Sequence, residues 1–149
     1  MKSLLSLLVL FAAPCYGQAW SSPLDKWTNR SESRPLADLN AKRYDTNSLS
    51  NKYGSGSPYK VDGLNNPYSR FGSRYSNQSA TNPYATNPPK IYGSNGTYHG
   101  ELSANPYGMD STSNPYSHYG SRYSPSSINN PYGAGSRYRT NPLYVYPGR

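Results

Sequence analysis

Apolar residues are distributed along this chain in two unlike ways. Residues 4 to 13, from Leu4 to Ala13, form one run broken only by Ser6; beyond it, aliphatic residues stand alone among serine, asparagine and glycine. Alternation over four or more residues returns in two places. Lys90-Ile91-Tyr92-Gly93 and Thr97-Tyr98-His99-Gly100-Glu101-Leu102 flank an Asn95-Gly96 pair, which predicts a hairpin with strands near 90–93 and 97–102. Leu143-Tyr144-Val145-Tyr146 predicts a third strand. A two-stranded hairpin is marginal in water, so this third strand either pairs with it to make a small sheet or frays as a tail.

Between these stretches the chain repeats. Tyr44, Tyr59, Tyr75, Tyr107, Tyr123 and Tyr138 are spaced 15, 16, 32, 16 and 15 apart, so one further unit is hidden in the double-length gap. A second tyrosine follows nine residues later at Tyr53, Tyr68, Tyr84, Tyr116 and Tyr132. Each unit has the grammar of a single helical turn. In Tyr123-Ser124-Pro125-Ser126-Ser127-Ile128-Asn129-Asn130-Pro131-Tyr132, Ser124 would cap, Pro125 would occupy the first helical position, and Asn130 before Pro131 would end the turn. One aliphatic residue per unit faces inward in this reading: Leu49, Leu64, Ala80 or Ile128. The fold class expected is a mostly irregular, turn-rich repeat array with short one-turn helices and a small antiparallel β-hairpin, partly disordered.

The first 19 residues have the layout of a secretory signal peptide. Lys2 is the charged start, the apolar run follows, and Gly17-Gln18-Ala19 is a small-x-small cleavage site. The run is too short to span a bilayer and no later segment approaches the required length, so an exported chain beginning at Trp20, periplasmic or extracellular, is expected. Cys15 after the apolar run offers a competing reading as a lipid-attachment residue, against which Pro14 argues, because the preceding position is normally small. Residues 20–43 are a non-repetitive lead, a linker or a short helix between Arg34 and Lys42; residues 44–149 are the repeat region.

Composition narrows the chemistry. Of 17 tyrosines only Tyr16 precedes Trp20, while aliphatic residues are few, so a core would be built mainly of tyrosine with its hydroxyls hydrogen-bonded. Loss of Cys15 with the signal leaves no thiol for a disulfide or a metal site, and His99 and His118, far apart, are expected to be exposed loop residues. No cofactor or metal is expected. The seven acidic residues are scattered, no serine sits in a nucleophile-elbow context, and no glycine-rich stretch leads into the lysine of a phosphate loop. These features argue against an enzyme.

The formal charge of +8 falls to +7 without Lys2, which fits an anionic partner such as envelope polysaccharide or another anionic polymer, or simply solubility. The candidate binding residues are the pairs Arg74-Tyr75, Arg122-Tyr123 and Arg137-Tyr138, with Arg70-Phe71 as a variant. A guanidinium beside a ring can stack on a sugar while meeting an acidic group; alternatively the arginine packs on a neighbouring unit's tyrosine and holds the array together. Self-association and oxidative tyrosine cross-linking are further roles that regular tyrosine spacing allows.

The phrase Ser113-Asn114-Pro115-Tyr116-Ser117-His118-Tyr119-Gly120-Ser121-Arg122-Tyr123, continued to Asn130-Pro131-Tyr132-Gly133, resembles the tyrosine-rich Asn-Pro-Tyr-Gly repeats of small exported bacterial proteins without assigned activity. The resemblance spans about residues 44–149. It implies an extracytoplasmic bacterial protein and brings no catalytic residues; the repeats lead to the expectation of a structural or surface-interaction role in a bacterial envelope.

Overall fold

The computed structural model describes residues 34–39, 41–136 and 138–148. Four short strands, β1 (Ala37–Asp38), β2 (Lys90–Gly93), β3 (Tyr98–Glu101) and β4 (Leu143–Tyr146), form one antiparallel sheet in the order β1-β4-β2-β3. The hairpin and the C-terminal strand lie where the alternation places them. β4 closes on β2 through Lys90↔Tyr146, Ile91↔Val145, Tyr92↔Tyr144 and Gly93↔Leu143. β1 was not expected: it lies in the segment taken for a linker or short helix, and pairs Ala37 with Val145 on the free edge of β4.

The Asn95-Gly96 turn has its own geometry. Gly96 N–H closes on the Gly93 carbonyl at 2.9 Å, and Gly96, not Asn95, takes the left-handed backbone with φ of 79°. The bend is therefore an ordinary turn followed by a glycine bulge. A second irregularity between the pairs Tyr92↔Tyr98 and Lys90↔Glu101 coincides with Gly100, at φ 94°.

One sheet face makes the core. Ile91, Leu143, Val145 and Ala37 alternate inward and join Leu64, Phe71 and Ala134 from the turn segments, with Leu49, Ala80 and Ile128 packed against them. The other face carries a tyrosine cluster, Tyr146–Tyr92–Tyr98–Tyr119, with ring centroids 5.9, 5.4 and 5.2 Å apart. Burial on this face pushes the Tyr98 phenol well above its ordinary value, and Glu101 and Asp110 add to the shift. Burial also raises the Glu101 carboxyl, against the Lys90 ammonium 3.9 Å away. Folding thus favours the protonated Tyr98, a contribution present below the ordinary phenol range and lost as pH rises through and beyond it. The urea midpoint is expected to fall above about pH 10, and Tyr98→Phe to flatten that slope.

The expected one-turn helices are absent: no helix occurs among the described residues, and no regular element recurs outside the sheet. The chain instead bends at three-residue intervals, each turn starting where the last ended. Donor–acceptor pairs Asp45→Lys42, Ser48→Asp45, Asn51→Ser48, Gly54→Asn51, Ser57→Gly54, Lys60→Ser57, Gly63→Lys60, Asn66→Gly63 and Ser69→Asn66 run without interruption. Serines inside the stretches that read as helical turns explain the difference. Ser127 Oγ accepts the Asn129 N–H two residues ahead at 3.1 Å, and Ser48 Oγ accepts that of Ser50 at 3.2 Å. A helix needs those N–H groups for its own ladder, so the local bonds divert the chain into turns.

The same bonding explains the 15- and 16-residue spacing. Nine residues always separate the serine or lysine opening one tyrosine turn from the asparagine opening the next, as from Ser57 to Asn66 and from Ser121 to Asn130. The return takes six residues in Asn51–Ser57 and Asn130–Ser136, where Gly56 and Gly135 fold back to the carbonyls of Asn51 and Asn130. It takes seven in Asn66–Ser73 and Asn114–Ser121, where Ser69 Oγ and Ser117 Oγ receive the Gly72 and Gly120 N–H and the following serine bonds four residues back.

The two halves of the chain correspond. β1 leads through the first turn segment to β2, and β3 through the second to β4; each edge strand then pairs with the central strand of the other half. Asp38 and Ser48 form a parallel bridge, as do Glu101 and Ser111. The flanking bonds match too: Asp38 N–H to Asn47 and Leu49 N–H to Asp38, against Glu101 to Asp110 and Thr112 to Glu101.

Candidate functional site: outward tyrosines and the Arg74 groove

Tyrosine does not build the core. Eleven tyrosines, Tyr44, Tyr53, Tyr59, Tyr68, Tyr75, Tyr84, Tyr107, Tyr116, Tyr123, Tyr132 and Tyr138, are between 85 % and 96 % exposed. Each is the third residue of a four-residue turn that opens on Asn, Ser or, at Tyr44, Lys42, with Pro, Arg or Lys between. The backbone there is fixed: Asn Oδ1 accepts the tyrosine N–H at Tyr53, Tyr68, Tyr84, Tyr107, Tyr116 and Tyr132. Ser Oγ does so at Tyr59, Tyr75, Tyr123 and Tyr138. The asparagine amide is used twice, since its Nδ2 also donates to the carbonyl six residues back, at 2.8 to 3.0 Å in Asn51, Asn66, Asn82, Asn114 and Asn130. The turn corner points away from the core, so the ring leaves with it. A tyrosine core was the wrong inference because it weighed the area of the ring and not the position of its Cα in the turn.

The candidate pairs fare differently. Tyr75, Tyr123 and Tyr138 are all at least 94 % exposed, which leaves their rings without the neighbour that arginine packing across units would require. The variant pair does make its contact, with Arg70 4.7 Å from the Phe71 centroid, and Lys52 lies 5.7 Å from that of Tyr53. His118, at the position corresponding to Arg70, likewise places its ring 4.9 Å from Tyr119. Arg122 is exposed. Arg137 lies outside the described residues.

Arg74 lies on the walls of a hollow. Two adjoining hollows, of about 610 and 450 Å³, share Leu64, Asn65, Arg74 and Thr81. Leu49, Ala80 and Leu102 give the larger an apolar floor, and Tyr75 borders the smaller. The groove lies between the first turn segment and the start of the second, so no local pattern announces it. Its opening correlates with one missing bond. Asn129 Nδ2 reaches the carbonyls of both Thr112 and Gly120, at 2.7 and 2.9 Å, whereas its counterpart Asn65 bonds the carbonyl of Gly56 at 3.0 Å and none at Leu49.

His99 corrects another expectation, for it is 4 % exposed. Its Nδ1 lies 3.1 Å from the Ser126 carbonyl, which can only accept, so Nδ1 carries the proton; Nε2 then accepts from Arg139 Nη2 at 3.4 Å. The ring ties β3 to the second turn segment and is fully used in doing so. The alternation around Tyr98 placed His99 on a strand, and that was the available signal that it would turn inward.

No group of three or more His, Cys, Asp or Glu residues that could hold a metal occurs among the described residues, and no helix there is long and apolar enough to cross a membrane. Residues 1–19, read as a signal peptide, lie outside the described residues, and Cys15 with them. No known family model matches the chain, nor does any curated protein or solved structure.

Proposed function

We propose that the chain is an exported, non-enzymatic protein with a structural or surface-interaction role in a bacterial envelope, acting through many weak tyrosine contacts combined by avidity. The observation that carries this reading is the set of eleven outward rings on backbone-fixed turns. Fixing the backbone lowers the entropy lost when a ring engages a surface, and repetition multiplies contacts that are individually slight. The chemistry-bearing groups recur as like sets instead of converging once as unlike ones, which supports a binding role over catalysis. Export rests on the layout of residues 1–19, and the basic charge suits an anionic polymer such as envelope polysaccharide.

A second reading has its own observation. Arg74 and Tyr75 border an apolar groove with Asn65 and Thr81, the combination a carbohydrate or other anionic ligand would need from one site. Retention on isolated envelope polysaccharide separates the two. Under the avidity reading, any single replacement of an outward tyrosine by serine lowers retention less than about twofold, while four together lower it by more than about tenfold. Loss of retention from Arg74→Ala alone, with Arg122→Ala silent, would transfer the function to the groove. Indifference to salt and to all of these changes would remove both readings.

A further inference from the structure

We propose that the outward tyrosines are sites of oxidative coupling, through which a haem peroxidase using hydrogen peroxide joins copies of this chain by dityrosine bonds. Nothing in this depends on what the tyrosines bind reversibly.

Three independent observations support it. Access is the first: the eleven phenols are at least 85 % exposed, and serine, glycine and proline dominate the positions around them, so an oxidant reaches them unobstructed. Competition is the second. From Trp20 onward the sequence has no cysteine, one methionine, Met109, and two tryptophans, Trp20 and Trp27, against 16 tyrosines, so few side chains divert a radical from tyrosine. Geometry is the third and decides the outcome. Coupling needs two ring carbons to reach bonding distance, yet none of the eleven rings contacts another aromatic ring among the described residues; the tyrosine pairs in contact are Tyr92–Tyr98, Tyr92–Tyr146 and Tyr98–Tyr119, on the sheet. The side-chain hydrogen bond that holds the N–H of ten of the eleven prevents their backbones from bringing them together within one chain. With no partner ring in contact among the described residues, the partner is taken from a second molecule.

The chemistry balances without a resident cofactor. Each of two phenols gives one electron and its hydroxyl proton to the peroxidase, the two phenoxyl radicals form a carbon–carbon bond ortho to the oxygens, and each ring regains aromaticity by moving its ortho hydrogen to oxygen. Hydrogen peroxide takes up the two electrons and two protons and leaves as two waters.

The test mixes equal amounts of unlabelled and nitrogen-15-labelled full chain, adds peroxidase and hydrogen peroxide, and sequences the cross-linked peptides by mass spectrometry. Covalent multimers are expected, with about half of the dityrosine peptides carrying one labelled and one unlabelled partner, and with the partners drawn from the eleven outward positions. Replacing Tyr92, Tyr98 and Tyr146 together by phenylalanine is expected to leave the multimer yield within about twofold; since the isotope pattern of the unaltered chain is read first, a folding defect in that variant does not cloud the result. Dityrosine that is unmixed, or confined to the sheet cluster, overturns the proposal. So does the absence of dityrosine from acid hydrolysates of the protein isolated from its natural source.

Discussion

Alanine in place of Gly135 is expected to destabilise the fold by about 3 kcal/mol or more, enough to remove most of the folded population of a chain with so small a core. An added Cβ would overlap the carbonyl oxygen of Ile128 and stand 2.7 Å from its carbon and 2.9 Å from the Asn130 oxygen. All three are backbone atoms held in turns, so no side chain can swing aside. Gly135 N–H also bonds the Asn130 and Ser127 carbonyls at 3.1 and 3.2 Å, and moving the glycine away breaks both. Gly56 occupies the same place in the other six-residue return, with Leu49 and Asn51 as the obstructing carbonyls, and should respond alike. Gly96→Ala is the control. Nothing lies within 4 Å of its Cβ position, and its cost is that of the left-handed backbone, about 1 kcal/mol. Urea titrations of the three variants measure the difference; equal costs at Gly135 and Gly96 would mean that the turns do not approach as closely as described.

Strand alternation around Ile91, Tyr98 and Val145 was legible because a sheet with one buried face imposes a period of two on the residues themselves. The positions of the bends were legible as well, since Asn-Pro, Ser-Pro and Ser-Arg mark them. Their kind was not. Ser124-Pro125 opens either a helix or a turn, and the choice depends on which acceptor the next N–H groups take, a competition settled by bonds such as that from Asn130 Nδ2 to the Ser124 carbonyl. β1 had no pattern to show, because Ala37 and Asp38 extend only where β4 offers an unpaired edge. Arg74 and Arg122 are equivalent as words in the sequence; the groove that Arg74 lines is made by Leu49, Leu102 and Thr112 from distant parts of the chain.

The asparagines opening the tyrosine turns give the sharpest test of that hydrogen-bond logic. Asn66 is nearly buried; its Oδ1 accepts from Tyr68 N–H at 3.0 Å, and its Nδ2 donates to the Lys60 carbonyl at 2.8 Å. Asn66→Ala removes both bonds, leaving the Tyr68 N–H unpaired and the Lys60 carbonyl with only the Gly63 N–H at 3.0 Å, for an expected loss of about 1 to 3 kcal/mol. Asn66→Ser keeps an acceptor for the Tyr68 N–H, as Ser73 does for Tyr75, but cannot reach six residues back, so it should cost about half as much. Asn66→Asp is the informative change. Its carboxylate can still accept from Tyr68, but its second oxygen now faces the Lys60 carbonyl, acceptor against acceptor, with a charge held away from water. At neutral pH it should therefore be no better than alanine. Protonation restores a donor toward that carbonyl, so the folded state holds the proton more tightly than the unfolded chain does, and stability must rise as pH falls through the carboxylate range. Urea midpoints of Asn66→Asp and Asn66→Ala at about pH 7 and about pH 4 should converge at the first and separate at the second, with the aspartate variant the more stable. The opposite order would mean that the asparagine acts only through its oxygen, as an ordinary turn residue, and that the six-residue clasp contributes nothing to holding the tyrosines outward.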